Sequence, residues 1–328
     1  MLLLQVFLPI SLEQEIFKDM AEITIFCPAT VANVSCGFDV LGLALESVGD
    51  EMVIRETNRK GVFITKITGQ ELPTETEKNV AGVAATALLK AFGNSHGFEI
   101  EIHKKIKPGS GIGSSAASAA GAVWGINELL DRPFTSSELV QFAMQGELLA
   151  SNVAHADNVA PALYGGFTLV RSYEPLDIIP IHCPDNLFAT IIHPQIEVKT
   201  ADSRKILKTT ISLDKGIRQW GNLGGLVAGL FMEDYPLIGR SLEDHVVEPI
   251  RSILIPKFQE LKSASTEAGA LGSGISGSGP SIFALSNGKS TAEKVARAME
   301  EVYQGTGVDF DIHVSAIGAE GVKIISKK

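Results

Sequence analysis

The chain has 328 residues, 45% of them hydrophobic and 20% charged, and a formal net charge of −10. That length accommodates two domains with separate cores, and the acidic balance excludes the basic footprint of a nucleic-acid binder. Three cysteines (Cys27, Cys36, Cys183) without CxxC spacing give neither a zinc site nor a disulfide framework and point to the reducing cytosol, so a cytoplasmic location is expected.

The opening run Leu2-Leu3-Leu4-Gln5-Val6-Phe7-Leu8-Pro9-Ile10 is apolar but lacks a basic n-region, and Glu13 and Glu15 follow it in place of a cleavage site. It is also too short to span a bilayer, so no membrane partner is expected and residues 1–19 read as an N-terminal extension. Alternation predicts strands at 23–26, 41–45, 51–55 and 62–68, and a stripe of Val80, Val83, Ala84 and Leu88 predicts a helix over 79–91. A strand at 98–106 leads through a glycine loop into an Ala-rich helix at 116–130. The next helix, 135–151, is capped by Thr135 or Ser136 with Glu138 close behind, and a strand follows at 165–170. Residues 172–186, with Pro175, Pro180 and Pro184, read as a crossover between halves. Beyond it the pattern predicts a strand at 187–192, helices at 202–208, 215–232 and 249–268, and a glycine loop at 272–280. A strand at 281–285, a helix at 291–304 and a strand at 310–314 close the chain. Strands and helices mixed without regular βαβ alternation indicate an α+β fold, divided as 1–19, 20–180 and 181–328.

The loop Pro108-Gly109-Ser110-Gly111-Ile112-Gly113-Ser114-Ser115-Ala116-Ala117-Ser118 lies between a strand and a helix N-terminus. Unpartnered first-turn amides and the helix dipole suit that position to a phosphate, and Ser114 or Ser115 could donate to it or ligate magnesium. The residues alone equally allow an ordinary glycine-rich turn. A dinucleotide fingerprint starting at Gly109 would need glycine where Ser114 stands. The one Gly-Lys-Ser, Gly288-Lys289-Ser290, has Phe283 at the upstream position where a Walker loop needs glycine.

Three segments in order, 27–39, 108–118 and 272–281, resemble the motifs of the GHMP small-molecule kinases. Pro108 to Ser118 resembles that superfamily's P-x-x-x-G-L-G-S-S-A-A with Ile112 for leucine, and Gly274-Ile275-Ser276-Gly277-Ser278-Gly279-Pro280-Ser281 its third motif. Further details resemble its homoserine kinase branch. Pro28-Ala29-Thr30-Val31-Ala32-Asn33 before Gly37-Phe38-Asp39 is similar to P-A-T-S-A-N-L-G-x-G-F-D, with Val31 for serine and Val34-Ser35 for Leu-Gly. His155-Ala156-Asp157-Asn158-Val159-Ala160-Pro161 is similar to H-x-D-N-V-x-P. Val198-Lys199-Thr200 with Arg204, and Glu248-Pro249-Ile250-Arg251, are similar to two further substrate segments.

The resemblance implies a GHMP kinase fold: an N-terminal domain like domain 2 of ribosomal protein S5 and a C-terminal ferredoxin-like domain. It also implies transfer of phosphate from MgATP to the side-chain hydroxyl of L-homoserine, a step of threonine biosynthesis, by a homodimer. Arg204 and Arg251 are then expected at the substrate carboxylate, whose geometry suits the guanidinium fork, and Asp39 at the ammonium. Asn33, His155 and Asn158 would hydrogen-bond the remaining groups, and Gly277 would let backbone approach. Taken singly these are also a surface arginine, a turn aspartate or a structural histidine. Residues 108–118 would wrap the triphosphate, with Asn79 and Lys104 at the nucleotide and the stretch around Val80 beside the adenine. Glu147 and Ser115 would hold Mg2+, although Glu147 alone also reads as a solvated helix residue. Thr200 would orient the hydroxyl in a loose transition state stabilised by loop amides, magnesium and Asn33. The alternatives are another GHMP kinase acting on mevalonate or a sugar, a non-catalytic member of the fold, and a dinucleotide-dependent oxidoreductase. The missing fingerprint glycine counts against the last of these.

Overall fold

The computed structural model describes residues 20–196, 198 and 200–328. The expectation for residues 1–19 and the reading of Lys199 lie outside them. In chain order the strands β1 (Glu22–Ala32), β2 (Leu41–Glu56) and β3 (Gly61–Thr68) precede helix α1 (Val80–Phe92). Then come β4 (Gly97–His103), α2 (Ser114–Leu129), α3 (Ser136–Ser151), α4 (Val159–Tyr164), β5 (Phe167–Tyr173) and β6 (Leu176–Ile181). The second half holds β7 (Leu187–Pro194), α5 (Thr200–Lys205), α6 (Leu213–Met232), α7 (Tyr235–Ser241), α8 (Glu248–Arg251) and α9 (Phe258–Glu267). It ends with β8 (Gly272–Ile275), β9 (Ile282–Asn287), α10 (Lys289–Tyr303), β10 (Phe310–Ala316) and β11 (Lys323–Lys327).

Two sheets organise these elements. The first is seven-stranded, in the order β11-β1-β2-β4-β3 with β5 and β6 branching from β2. Strand β2 is a single strand where the alternation predicts two, and it bends so that Leu41–Leu43 pair with β5 while Glu51–Glu56 pair with β4. The second sheet is antiparallel, in the order β10-β7-β9-β8. With α9 and α10 against it, this is the split βαββαβ arrangement of a ferredoxin-like domain. The fold is therefore α+β as expected, with one difference in how its halves divide. Strand β11 returns to pair with β1, so the end of the 181–328 segment completes the sheet of the first half.

Local differences have local causes. A helix predicted over 249–268 is broken because Pro256 forces Ile255 into extended backbone (φ −116°, ψ 112°) between α8 and α9. Pro180 sits inside β6, which pairs only with β5 and so tolerates a missing donor on its free edge. The capping box expected at Thr135 and Glu138 is present.

Helix α2 is buried almost all round, and its small residues let it press onto the sheet. A Cβ at Gly121 would lie 2.3 Å from Cys27 Sγ. The loop before α2 is anchored by a buried ion pair. Asp50, in β2, accepts from the backbone N–H groups of Lys105 (2.7 Å) and Ile106 (2.9 Å) and pairs with the Lys104 ammonium. Lys104 Nζ also donates to the Ser114 carbonyl (2.9 Å) and Ser118 Oγ (3.1 Å), tying the end of β4 to the first turn of α2. Removing one partner of such a pair leaves the other charge buried without compensation. Asp50→Ala is thus expected to cost about 3–5 kcal/mol in urea unfolding; a loss below about 1 kcal/mol, the worth of a surface pair, would contradict this anchoring role.

Candidate active site

Two glycine loops from opposite halves of the chain meet. Ser276 Oγ donates to the Gly111 carbonyl (2.7 Å), and Ser281 donates to the Ser110 carbonyl from both its hydroxyl (2.6 Å) and its backbone N–H (3.3 Å). Thr30 N–H donates to the Ile112 carbonyl (3.1 Å), so β1 holds the same loop from the other side. The fit leaves no room for side chains: a Cβ at Gly111 would lie 2.7 Å from the Gly279 carbonyl oxygen. One at Gly113, which stands immediately before α2 at φ 70°, would lie 2.0 Å from Thr30 Oγ1. With those carbonyls engaged by neighbours, the first-turn amides of α2 have no intrahelical acceptor, an arrangement an anion can use.

Beside this loop, residues 33–39 form a tight turn. Asn33, Val34 and Ser35 all have positive φ (71°, 41° and 58°), as does Asp39 (59°). A β-branched residue such as Val34 rarely adopts that conformation, and here the surrounding contacts impose it. Asn33 knits the turn together: its Oδ1 accepts from Asp39 N–H (3.0 Å) and its Nδ2 donates to the Gly277 carbonyl (2.7 Å).

The charged residues converge here. Arg204, on α5, forks onto Asp39, with Nη1 to Oδ1 at 3.2 Å and Nη2 to Oδ2 at 2.6 Å, and Nη1 also donates to His155 Nε2 (2.9 Å). Burial pushes the His155 pKa down and the nearby Arg204 and Arg251 push the same way, against Asp39, so the imidazole is neutral and accepts that bond. Arg251 is buried, donating from Nε to the Ser203 carbonyl (3.1 Å) and from Nη1 to the Gly277 carbonyl (3.2 Å). Both guanidiniums lie over the Phe38 ring, Arg204 at 5.5 Å and Arg251 at 5.1 Å. Asn158, just ahead of α4, accepts from Thr30 Oγ1 (2.7 Å) and faces Gly113, joining this cluster to the glycine loop.

Glu147, on α3, is buried against the start of α2. Burial pushes its pKa up to about 7, opposed by a hydrogen bond with Ser115 and the Lys104 charge. The solvated-helix reading of Glu147 is therefore excluded.

Other expected residues sit differently. Asn79 caps α1, accepting from Ala81 N–H (3.0 Å) and donating to the Pro73 carbonyl (2.8 Å), while Lys104 is occupied beneath the loop as described. Ser114 donates to the Ile106 carbonyl (3.0 Å) and Ser118 to the Ser114 carbonyl (3.3 Å), so these two hydroxyls brace the loop from within. Thr200 begins α5, and its side chain lies outside the described atoms. A cavity of about 780 Å³ opens between α1 and α3, lined by Thr76, Val83, Phe142 and Gln145 among others; Val80 is not in its wall.

Three contributors escape a motif reading. Phe38 stands inside a quoted motif but carries no chemistry of its own until two arginines stack on it. Tyr173, on β5, donates to the Asp39 carbonyl (2.8 Å) and accepts from Ala156 N–H (3.4 Å), with no sequence signal to mark it. Asp157 is buried, with a pKa pushed up to about 7 by burial and then by the charges of Asp39 and Glu147; its Oδ1 has no hydrogen-bond partner among the described residues.

The family model described as the GHMP kinases N terminal domain matches residues 79–166, and the GHMP kinases C terminal model matches residues 226–305. The chain is 47% identical over 319 residues to the homoserine kinase of Chloroherpeton thalassium, covering 93% of this chain and 100% of that one. It superposes on the crystal structure of homoserine kinase from Cytophaga hutchinsonii with a TM-score of 0.89 and 53% identity, covering 93% and 97% of the two chains. The L. major mevalonate kinase, at 15% identity and a TM-score of 0.64 over 91% of this chain and 95% of that one, shares the fold. By motif, domain pair and overall similarity, the chain belongs to the GHMP kinases and, within them, to the homoserine kinases.

Proposed function

We propose that this protein transfers the γ-phosphoryl group of MgATP to the side-chain hydroxyl of L-homoserine, in the cytoplasm, as an assembly of two copies. One observation carries the substrate reading: the Asp39–Arg204 pair, with Arg251 beside it. A carboxylate and a guanidinium held together form the charge image of an α-amino acid, whose ammonium seeks the first and whose carboxylate seeks the second. Mevalonate and sugars carry no ammonium and leave Asp39 without a use. Relatives named homoserine kinase at 46–47% identity over most of this chain support the same substrate.

The chemistry asks mainly for alignment and charge neutralisation, because phosphoryl transfer passes through a loose transition state. Loop amides of residues 109–115 meet the phosphate oxygens at the start of α2. Asn33 and Asn158, fixed by Gly277 and Thr30, border the space between that loop and the charged cluster and orient the hydroxyl, a task shared with Thr200 at the start of α5. Neutral His155 accepts from Arg204 and keeps the fork aligned.

The donor set near the loop fits magnesium. Among the described residues no three carboxylate, imidazole or thiol groups converge on a metal position. The buried Glu147 carboxylate and the Ser115 hydroxyl offer two hard oxygen donors, leaving the remaining positions to phosphate and water, as this ion prefers. Magnesium bound there would neutralise charge on the triphosphate. The three cysteines are free thiols, in keeping with a reducing compartment, and exposed apolar residues on α6 support association of two copies.

Arg204→Lys keeps the charge and loses the fork. It is expected to raise the KM for homoserine by about tenfold or more while the KM for ATP stays within about twofold; an equal rise in both would reject the carboxylate role. Glu147→Gln is expected to lower kcat by at least about a hundredfold and to raise the magnesium concentration needed for half-maximal rate. The same variant has a pH signature. A carboxyl whose folded pKa is raised stabilises the fold only while protonated, so that stability is full below its ordinary value of 4.5 and is lost as pH climbs through about 7. The ligand-free Tm should thus fall between pH 5 and 8, and Gln at 147 should flatten the fall; an unchanged slope would contradict the burial of this carboxylate.

A further inference from the structure

Beside the charged cluster, a small cavity of about 10 Å³ is lined by Asn33, Ser35, Asp244, Glu248, Arg251 and Gly277 among others. It is too small for an amino acid and has room for one water molecule. Two polar atoms in its wall are orphaned. Ser35 Oγ and Glu248 Oε2 are buried and have no hydrogen-bond partner among the described residues. The other polar side chains there are engaged. Asn33 and Arg251 meet the Gly277 carbonyl, and Asp244 accepts from the N–H groups of Val246 (2.8 Å), Val247 (3.0 Å) and Glu248 (2.8 Å).

The two orphaned oxygens flank one point. A Cβ at Gly274 would lie 2.4 Å from Ser35 Oγ and 3.2 Å from Glu248 Oε2, so a single small molecule can reach both. Gly274 lies in β8 with a φ outside the left-handed region, so space and not backbone conformation calls for glycine there. Buried polar oxygens are costly unless bonded. One water removes that cost by donating to Glu248 Oε2 and accepting from the Ser35 hydroxyl. A water suits the place better than a cation, because Glu248 Oε1 is already paired with Lys262 Nζ (2.5 Å) and the Arg251 guanidinium shares the wall.

The bridge joins two parts of the charged cluster. Ser35 belongs to the turn of positive φ values that runs from Asn33 to Asp39, and Glu248 stands three residues ahead of Arg251 on α8. The turn is fixed at Asn33 by Gly277 and at Cys36 by Gln219 Nε2, which donates to its carbonyl (2.9 Å). Ser35 lies between those anchors, in backbone that persists only where contacts impose it.

We propose that one buried water links Ser35 Oγ to Glu248 Oε2, and that Glu248 is thereby a positioning residue that holds the 33–39 turn in register with Arg251. This rests on the reading of Asn33, Asp39 and Arg251 as substrate residues and adds what aligns them. A high-resolution crystal structure of the full chain tests the water, with one density peak expected at about 3 Å from both oxygens. No peak there overturns the bridge, and one closer than about 2.5 Å, a metal-ligand length, overturns water as its occupant. Ser35→Ala and Glu248→Met, singly and together, test the role, with both KM values, kcat and Tm as readouts. Each single variant is expected to raise the KM for homoserine about fivefold or more and to leave that for ATP within about twofold. The double variant is expected to be no worse than the poorer single one, because either change breaks the same bridge. Effects that multiply overturn the shared water. A lowered Tm with the KM for homoserine unchanged, or equal rises for both substrates, overturns the positioning role. A wild type that does not turn over homoserine overturns the substrate reading and with it this role, while the density peak still decides the water.

Discussion

The contact on which the rest depends is the one between two glycine loops that lie 165 residues apart in the chain, where Ser276 Oγ holds the carbonyl of Gly111. A phosphate-binding loop needs its N–H groups facing outward, and a short glycine-rich segment has little intrinsic preference for any such shape. Here Ser276, Ser281 and Thr30 engage the loop carbonyls, while Lys104 and Ser114 fix its exit into α2. The loop is rigid because the ferredoxin-like half and the first strand of the other half grip it together. On the proposed function, this joins phosphate binding to the docking of the two halves.

The same docking builds the charged cluster that the proposed function assigns to the substrate. Gly277, in the second glycine loop, presents its carbonyl to both Asn33 and Arg251, so one backbone oxygen aligns a residue of the N-terminal turn with an arginine of the C-terminal half. Arg204 completes the arrangement by reaching Asp39 from α5. Charged groups so concentrated are costly unless paired, and a zwitterionic amino acid can take over both members of the Asp39–Arg204 pair without leaving either charge bare. On the proposed function the cluster is thus paired without substrate and complementary to it.

Much of this was legible from residue order, and the failures have physical causes. The glycine loop between β4 and α2, the cap of α3 and the alternation of β3 and β4 depend on neighbours in sequence, so pattern reading finds them. Asp39, Arg204 and His155 could be named from motifs, but that they touch one another follows from a tertiary contact across 165 residues. Lys104 and Asn79 were legible as polar residues near a nucleotide site and not as a buried ion pair and a helix cap. Which atoms they bond depends on Asp50 and on the fold of the 73–81 segment. Strand β11 has only the first sheet's open edge to recommend it, and Tyr173 acts through two backbone groups that no side-chain motif encodes. The break at Ile255 was readable in principle, since Pro256 announces it.

The central claim is that one cleft pairs a phosphate loop with an amino-acid-shaped charge cluster. The direct measurement is ADP release from MgATP with the purified protein, run in parallel against L-homoserine, L-serine, L-threonine, mevalonate and galactose. The account predicts turnover that is greatest with homoserine and absent with mevalonate and galactose. Turnover with mevalonate or galactose and none with homoserine would contradict it.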